Sequence, residues 1–157
     1  MRCLFFCLVV AGFALSGCSA GRQPDAETEL FRDFSLDKLV RQIPSPALQW
    51  SSGGGGSSSS PGVSRRKDFS LTYVIDEGGG AKFDEVGFIS KLKAEAERAA
   101  DDAGVRRGGG GLNGDAFNLH YSGDGHEGWV EVVGTRMEGN RYKVWGVIRE
   151  NTKSVKQ

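Results

Sequence analysis

The Asp-Gly pair at residues 124–125 constrains the fold of this chain more than any other feature. Asp-Gly between two stretches of alternating apolar residues is a strong signal for a β-hairpin with a two-residue loop. With the turn centred there, Leu119 lies opposite Val130 and Phe117 lies opposite Val132. Because side chains alternate between the two faces of a strand, these four residues share one face. The pair therefore predicts a hairpin with one apolar face.

A second turn at residues 138–140, Glu-Gly-Asn, extends the hairpin into a three-stranded meander. A two-residue Gly-Asn loop would place Arg136 opposite Lys143, and like charges directly opposed on a sheet are unfavourable. A three-residue loop places Val130 opposite Ile148 instead and keeps one face apolar. We therefore predict the three-residue loop.

An alternating strand and an amphipathic helix precede the meander. Residues 69–75 have the period of two that is typical of a half-buried strand. Asp84 is suited to cap a helix that runs to about Ala103. The glycine tracts at 78–80 and 108–111 are predicted to be loops. The expected fold class is a small α+β domain in β-α-β-β-β order, with a mostly antiparallel sheet and one helix packed on one face.

The helical connection also predicts a strand direction. A strand that leads through a helix into another strand of the same sheet normally runs parallel to it, with a right-handed crossover. We therefore expect the strand at 69–75 to run parallel to the strand that begins near Phe117, if both share the sheet. The helix is expected to cover the apolar face, which carries Phe117, Leu119, Tyr121, Val130, Val132, Tyr142, Val144 and Ile148.

The N-terminal residues have the pattern of an export signal. Arg2 precedes a 12-residue apolar stretch at 4–15, which is too short to span a membrane as a helix. Leu15-Ser16-Gly17-Cys18 then resembles the lipobox of bacterial lipoproteins. The resemblance covers residues 1–19 and implies cleavage after a signal peptide at 1–17, with acylation of Cys18. Ser19, rather than an aspartate, implies an outer-membrane destination on the periplasmic side if the envelope is Gram-negative. The alternative is an ordinary cleaved signal peptide in which Cys18 has no role.

The rest of the chain is expected to divide into three parts. Residues 18–50 are interpreted as a membrane-proximal segment with a short amphipathic helix at 36–43, capped by Ser35. Residues 51–66 are rich in Gly and Ser and predict a flexible linker. Residues 67–157 form the predicted globular α+β domain.

The second face of the predicted sheet is the candidate functional surface. It should carry Asn118, His120, Trp129, Glu131, Val133, Lys143, Trp145, Val147 and Arg149. Aromatic residues rimmed by charge often mark a contact site, and a cation–π contact between Arg149 and Trp129 is expected from their register. The possible interaction face is therefore His120, Trp129, Glu131, Trp145 and Arg149. In the alternative, the 36–43 helix or residues 46–50 cover this face as ordinary core.

Composition and motifs argue against several functions. The chain has 20 basic and 20 acidic residues, so it lacks the excess positive charge of a nucleic-acid-binding domain. Its three cysteines are Cys3, Cys7 and Cys18, so the mature domain has no cysteine-based metal motif. Two histidines and an aspartate occur in residues 120–126, but their placement at a tight turn does not favour a metal site. No catalytic residue or cofactor is predicted.

The functional hypothesis is a membrane-anchored envelope lipoprotein, tethered to the lipid bilayer through acylated Cys18. Its mature part is interpreted as a non-enzymatic interaction or structural module for an envelope protein partner. A small-ligand-binding periplasmic domain is the alternative, and an enzyme that uses His120 is a third reading.

Overall fold

A computed structural model describes residues 27–60, 64–78 and 82–152. In this part of the chain, three helices pack on one face of a six-stranded antiparallel sheet with the order β1-β2-β6-β5-β4-β3. The elements are α1 (Glu29–Asp33), α2 (Leu36–Arg41), β1 (Leu48–Ser60), β2 (Ser64–Ile75), α3 (Glu85–Asp102), β3 (Arg106–Asn113), β4 (Ala116–Gly123), β5 (His126–Met137) and β6 (Arg141–Thr152). The architecture is compatible with the expected α+β class, although the sheet has more strands than the four expected.

The register predicted for the meander is confirmed. Leu119 lies opposite Val130 across β4 and β5, and Val130 lies opposite Ile148 across β5 and β6. The first loop is the Asp-Gly pair, with φ values of 50° and 81°. The left-handed conformation at both positions matches a turn whose twist suits a hairpin. The second loop has three residues, because Met137 lies opposite Arg141.

The glycine tract at 108–111 is a strand and not the loop that the sequence predicts. It forms most of β3, which pairs with β4 so that Gly110 lies opposite Leu119 and Leu112 lies opposite Phe117. A glycine run has no side-chain alternation, so the period that identifies a strand is missing. Its backbone N–H and C=O groups can still pair with the edge of β4.

This additional strand also corrects the predicted strand direction. Each neighbouring pair in the sheet is antiparallel, so β4 runs antiparallel to β2. The strand that runs parallel to β2 is β3, into which α3 leads, and three other strands separate the two. The chain then reverses once more at residues 114–115 before β4 begins.

The Gly/Ser-rich segment is likewise not a flexible linker where the structure describes it. Residues 51–60 belong to β1, which pairs with β2 along its length; Gly53 lies opposite Leu71, for example. Of the remaining expected linker residues, 61–63 lie outside the described residues and 64–66 begin β2. β1 is an edge strand held by main-chain pairing, which Gly and Ser provide as well as any other residue type.

Helices α1 and α2 belong to the same hydrophobic core as the meander. The helix expected over 36–43 is α2, which begins at the N-cap Ser35 and ends at Arg41. Leu36 is fully buried at 0% exposure. At the end of α1, Lys67 Nζ of β2 donates to the carbonyl oxygens of Phe31 (2.5 Å) and Arg32 (2.8 Å).

We name the helix-covered side of the sheet the inner face and its other side the outer face. The eight meander residues predicted to be covered are all buried on the inner face. Helix α3 covers β3, β4 and part of β5, and it begins where predicted, with the Asp84 carboxylate accepting from Gly87 N at 2.9 Å. The inner face of the meander is thus covered by helices.

Candidate interaction face

The five residues of the predicted interaction face lie on three adjacent strands. His120 is on β4, Trp129 and Glu131 are on β5, and Trp145 and Arg149 are on β6. The register places His120 opposite Trp129, and Trp129 opposite Arg149. All five therefore project from the outer face, because they alternate with the buried residues of the same strands.

Two tryptophans and two valines lie close together on the outer face. Trp145 is 37% exposed, and Val133 lies opposite it on β5. The Arg149 guanidinium lies over the Trp129 ring, 5.4 Å from its centroid. This arrangement places a cation and an aromatic ring at cation–π distance. Val147 is only 4% exposed, although it lies on this face. The patch is thus a partly packed apolar layer with an accessible tryptophan on it.

No helix of the described part of the chain covers the outer face. Leu36 of α2 lies against the inner face, where a Cβ built on Gly146 would come within 3.2 Å of Leu36 Cδ2. Ala47 is buried in the inner core, and Trp50 lies opposite the inner-face residue Tyr73. The alternative in which residues 36–43 or 46–50 cover the tryptophan face is therefore wrong for these residues.

Charged side chains surround the apolar patch. Glu131 lies opposite Val147, and Lys143 lies between Thr135 and Thr72 on the neighbouring strands. Within residues 27–60, 64–78 and 82–152, Glu131 and Lys143 form no ion pair. An apolar centre with unpaired charges at its rim is the usual composition of a protein contact surface.

His120 is exposed on the outer face. Among residues 27–60, 64–78 and 82–152, no carboxylate accepts a hydrogen bond from it. His126 lies on the inner face at 2% exposure, with Nδ1 3.0 Å from the Asp124 carbonyl oxygen. The two histidines thus lie on opposite faces, and the described residues contain no group of three or more potential metal ligands.

A buried polar cluster on the inner face is absent from the sequence-based predictions. Glu150 is 1% exposed, and its carboxylate accepts hydrogen bonds from Thr28 N (3.0 Å), Thr28 Oγ1 and Tyr121 Oη (3.2 Å). Arg65 Nη1 lies 3.7 Å from Glu150 Oε1. Burial raises the pKa of Tyr121, and the nearby Glu150 raises it further. The alternation of side chains along β6 predicts that Glu150 points to the inner face. Its hydrogen-bond partner Thr28 could not be predicted, because it lies 122 residues away in the chain.

An open groove lies between α2 and the β1–β2 hairpin. Its volume is about 580 Å³, and its walls include Phe34, Trp50 and Phe69. The glycines of β1 form part of its lining, so main chain is accessible there. The groove is on the inner side of the sheet edge and is separate from the tryptophans of the outer face.

The predicted lipidation site, Cys18, lies outside the described residues. Within those residues, none of the helices has the length and apolar character that membrane crossing requires. Comparison with protein-family models, with curated proteins and with solved structures finds no match to this chain.

Proposed function

We propose that this chain is a lipid-anchored envelope protein whose folded part is a non-enzymatic interaction module. The anchor is Cys18, and the contact surface is the outer face around Trp145 and Trp129. The lipobox-like residues 15–18 support the first part of the proposal. The uncovered tryptophan patch supports the second.

The tether between anchor and fold is short. Thr28, the N-cap of α1, follows Cys18 by ten residues. A chain of this length spans at most about 35 Å. Because residues 51–60 belong to the sheet, they do not lengthen the tether. The module therefore works close to the bilayer, against partners in or next to the membrane.

The single observation that carries the contact surface is the exposure of Trp145 on a face that none of the described helices α1–α3 covers. Tryptophan is enriched at the energetic centre of protein interfaces because it buries a large apolar area and keeps a hydrogen-bond donor. Glu131 and Lys143 supply charges of both signs at the rim, where they would select the orientation of the partner.

The anchor is tested by metabolic labelling with a palmitate analogue. The native chain should be labelled and remain with membranes, and Cys18→Ala should lose the label. A Cys18→Ala variant that is still labelled would refute the assignment.

The contact surface is tested by photo-crosslinking in cells from position 143, next to Trp145. A specific protein adduct is expected, and it should be lost in Trp145→Ala while circular dichroism shows an unchanged fold. Trp50→Ala is the matched control, because Trp50 is 49% exposed but lies on the inner side of the edge strand. Capture of the same adduct in Trp145→Ala, or of no protein at all, would contradict the proposed surface.

The groove beside Trp50 favours a second candidate, a small-ligand-binding domain. Aromatic walls and accessible main chain are typical of small-molecule sites. Native mass spectrometry of protein purified from membranes would then show a bound small molecule that Trp50→Ala loses and Trp145→Ala keeps. In the crosslinking experiment the protein adduct should instead be lost in Trp145→Ala and kept in Trp50→Ala. The two variants therefore separate the two candidates.

A further inference from the structure

A pocket lies at one end of the outer face, near the end of β1 and the start of β2. Its volume is about 200 Å³, and its lining includes Ser58, Ser64, Arg66, Trp129, Arg149 and Asn151. One water molecule occupies about 30 Å³ in the liquid, so the pocket is large enough for a phosphate group. Two hydroxyls, an amide and three guanidinium groups, that of Arg65 included, border the pocket and can donate hydrogen bonds.

Arg149 is the uncompensated charge of this pocket. Arg66 is neutralised by Asp68, with Nη2 2.5 Å from Oδ1. Arg65, which also borders the pocket, lies near the buried Glu150 carboxylate. Arg149 has no carboxylate at ion-pair distance in the described ranges, and its buried Nε has no hydrogen-bond partner there. With these two pairs balanced, the pocket has a net charge of about +1, which suits a monoanion.

The pocket lies at the end of the sheet where the tether enters. Thr28 N donates to the carboxylate of Glu150, which directly follows Arg149 in β6. Cys18, the lipidated residue of the proposed function, can be at most about 35 Å from Thr28 along the extended chain. The phosphate groups of the surrounding lipids are therefore the anions that this end of the module meets.

We propose that this pocket binds the phosphodiester group of an anionic phospholipid, with Arg149 as the principal cationic contact. A phosphodiester has a charge of −1, and in phosphatidylglycerol, unlike phosphatidylcholine, no headgroup cation offsets it, so the lipid matches the uncompensated guanidinium. Arg149 is held by the Trp129 ring, so less side-chain freedom is lost on binding. The proposal deepens the proposed function and rests on its lipid anchor, because the anchor brings the pocket to the membrane.

Binding there would also orient the module. Trp145 lies four residues before Arg149 on β6, a separation of about 13 Å along the strand. With the Arg149 end at the headgroups and β6 running away from the bilayer, Trp145 lies farther from the headgroups than Arg149 and stays accessible to a partner, whereas Trp129 belongs to the lipid pocket. The anchored module would then present its contact surface in one orientation.

The test uses the full acylated chain in nanodiscs of phosphatidylcholine, with and without phosphatidylglycerol, and follows amide hydrogen exchange by mass spectrometry. Exchange in residues 147–152 should be slower with phosphatidylglycerol than without it, because one basic side chain near an anionic surface contributes about a fivefold gain in membrane affinity. Arg149→Gln should remove the effect. Arg141→Gln is the matched control, because Arg141 is at the opposite end of the same strand, and it should keep the effect.

Equal exchange in the two nanodiscs, or an equal slowing in Arg149→Gln, would overturn the proposal. Slowing by inorganic phosphate in phosphatidylcholine nanodiscs would show a site for free phosphate and would also overturn it. Loss of the chain from phosphatidylcholine nanodiscs would show only that the lipid anchor has failed. In that case phosphatidylglycerol vesicles added in excess should still slow exchange in residues 147–152, and unchanged exchange would overturn the proposal.

Discussion

The clearest test of the fold is the burial of Leu36 on α2. This side chain is 0% exposed and lies against the inner face at Gly146 of β6. Truncation of a fully buried leucine to alanine removes its transfer free energy and leaves a cavity, at a typical cost of 2–5 kcal/mol. Domains of this size have a total stability of about 5–15 kcal/mol. Leu36→Ala should therefore destabilise the whole domain and not only the helix.

The measurement is urea unfolding followed by circular dichroism in the far and near ultraviolet. The free energy of unfolding should fall by at least about 2 kcal/mol. Both signals should change in one transition, because α2 shares its core with the sheet. Lys38→Ala is the matched control on the same helix, since Lys38 is exposed, and it should change the stability by less than about 0.5 kcal/mol.

The opposite result is what a separate membrane-proximal segment would give. If a flexible linker divided residues 18–50 from the domain, Leu36→Ala would cost no more than Lys38→Ala. The near-ultraviolet transition, which reports the sheet, would then be unchanged. That outcome would refute the packing of α2 on the inner face.

Three further predictions concern the inner face. Gly134→Ala should lower the free energy of unfolding by about 1–3 kcal/mol in the same assay, because an added Cβ would collide with the buried Tyr142 ring; Gly54→Ala, where the space is open, should not. Thr28→Val removes a donor to the buried Glu150 and should cost about 1–3 kcal/mol, whereas Thr28→Ser should keep most of the stability; equal losses would contradict the role of the hydroxyl. Burial raises the pKa of all three tyrosines above the ordinary value of 10.0, so their contribution to stability should be fully present below pH 10 and should be lost as the pH rises above it. Phenolate absorbance should then appear only together with alkaline unfolding, and ionisation near pH 10 in the folded protein would contradict this.

The meander could be predicted from the sequence because its signals are local. The Asp-Gly turn sets the register of β4 and β5, and the alternation of apolar residues decides which side is buried. The N-caps of α2 and α3, Ser35 and Asp84, are also recognisable from neighbouring residues alone. The cation–π pair of Arg149 and Trp129 followed directly from the register.

The edge strands depended on the tertiary structure. β1 and β3 consist largely of Gly and Ser, whose side chains provide neither an apolar face nor a period. Their main-chain groups form hydrogen bonds with the exposed edges of β2 and β4, which the folded sheet provides. A Gly/Ser-rich segment has the same composition whether it is a flexible linker or an edge strand, so composition alone does not distinguish the two.

The sequence by itself determined the hairpin register, the two strand faces and the lipobox-like pattern, because each depends on residues close together in the chain. Only the tertiary structure decided that α2 packs on the inner face and leaves the tryptophans uncovered. It also brought Thr28 to Glu150, and Arg149 to Arg66 at the start of β2. These contacts join distant parts of the chain, and no local period or turn signal in residues 36–41 specifies which of the two sheet faces α2 will cover.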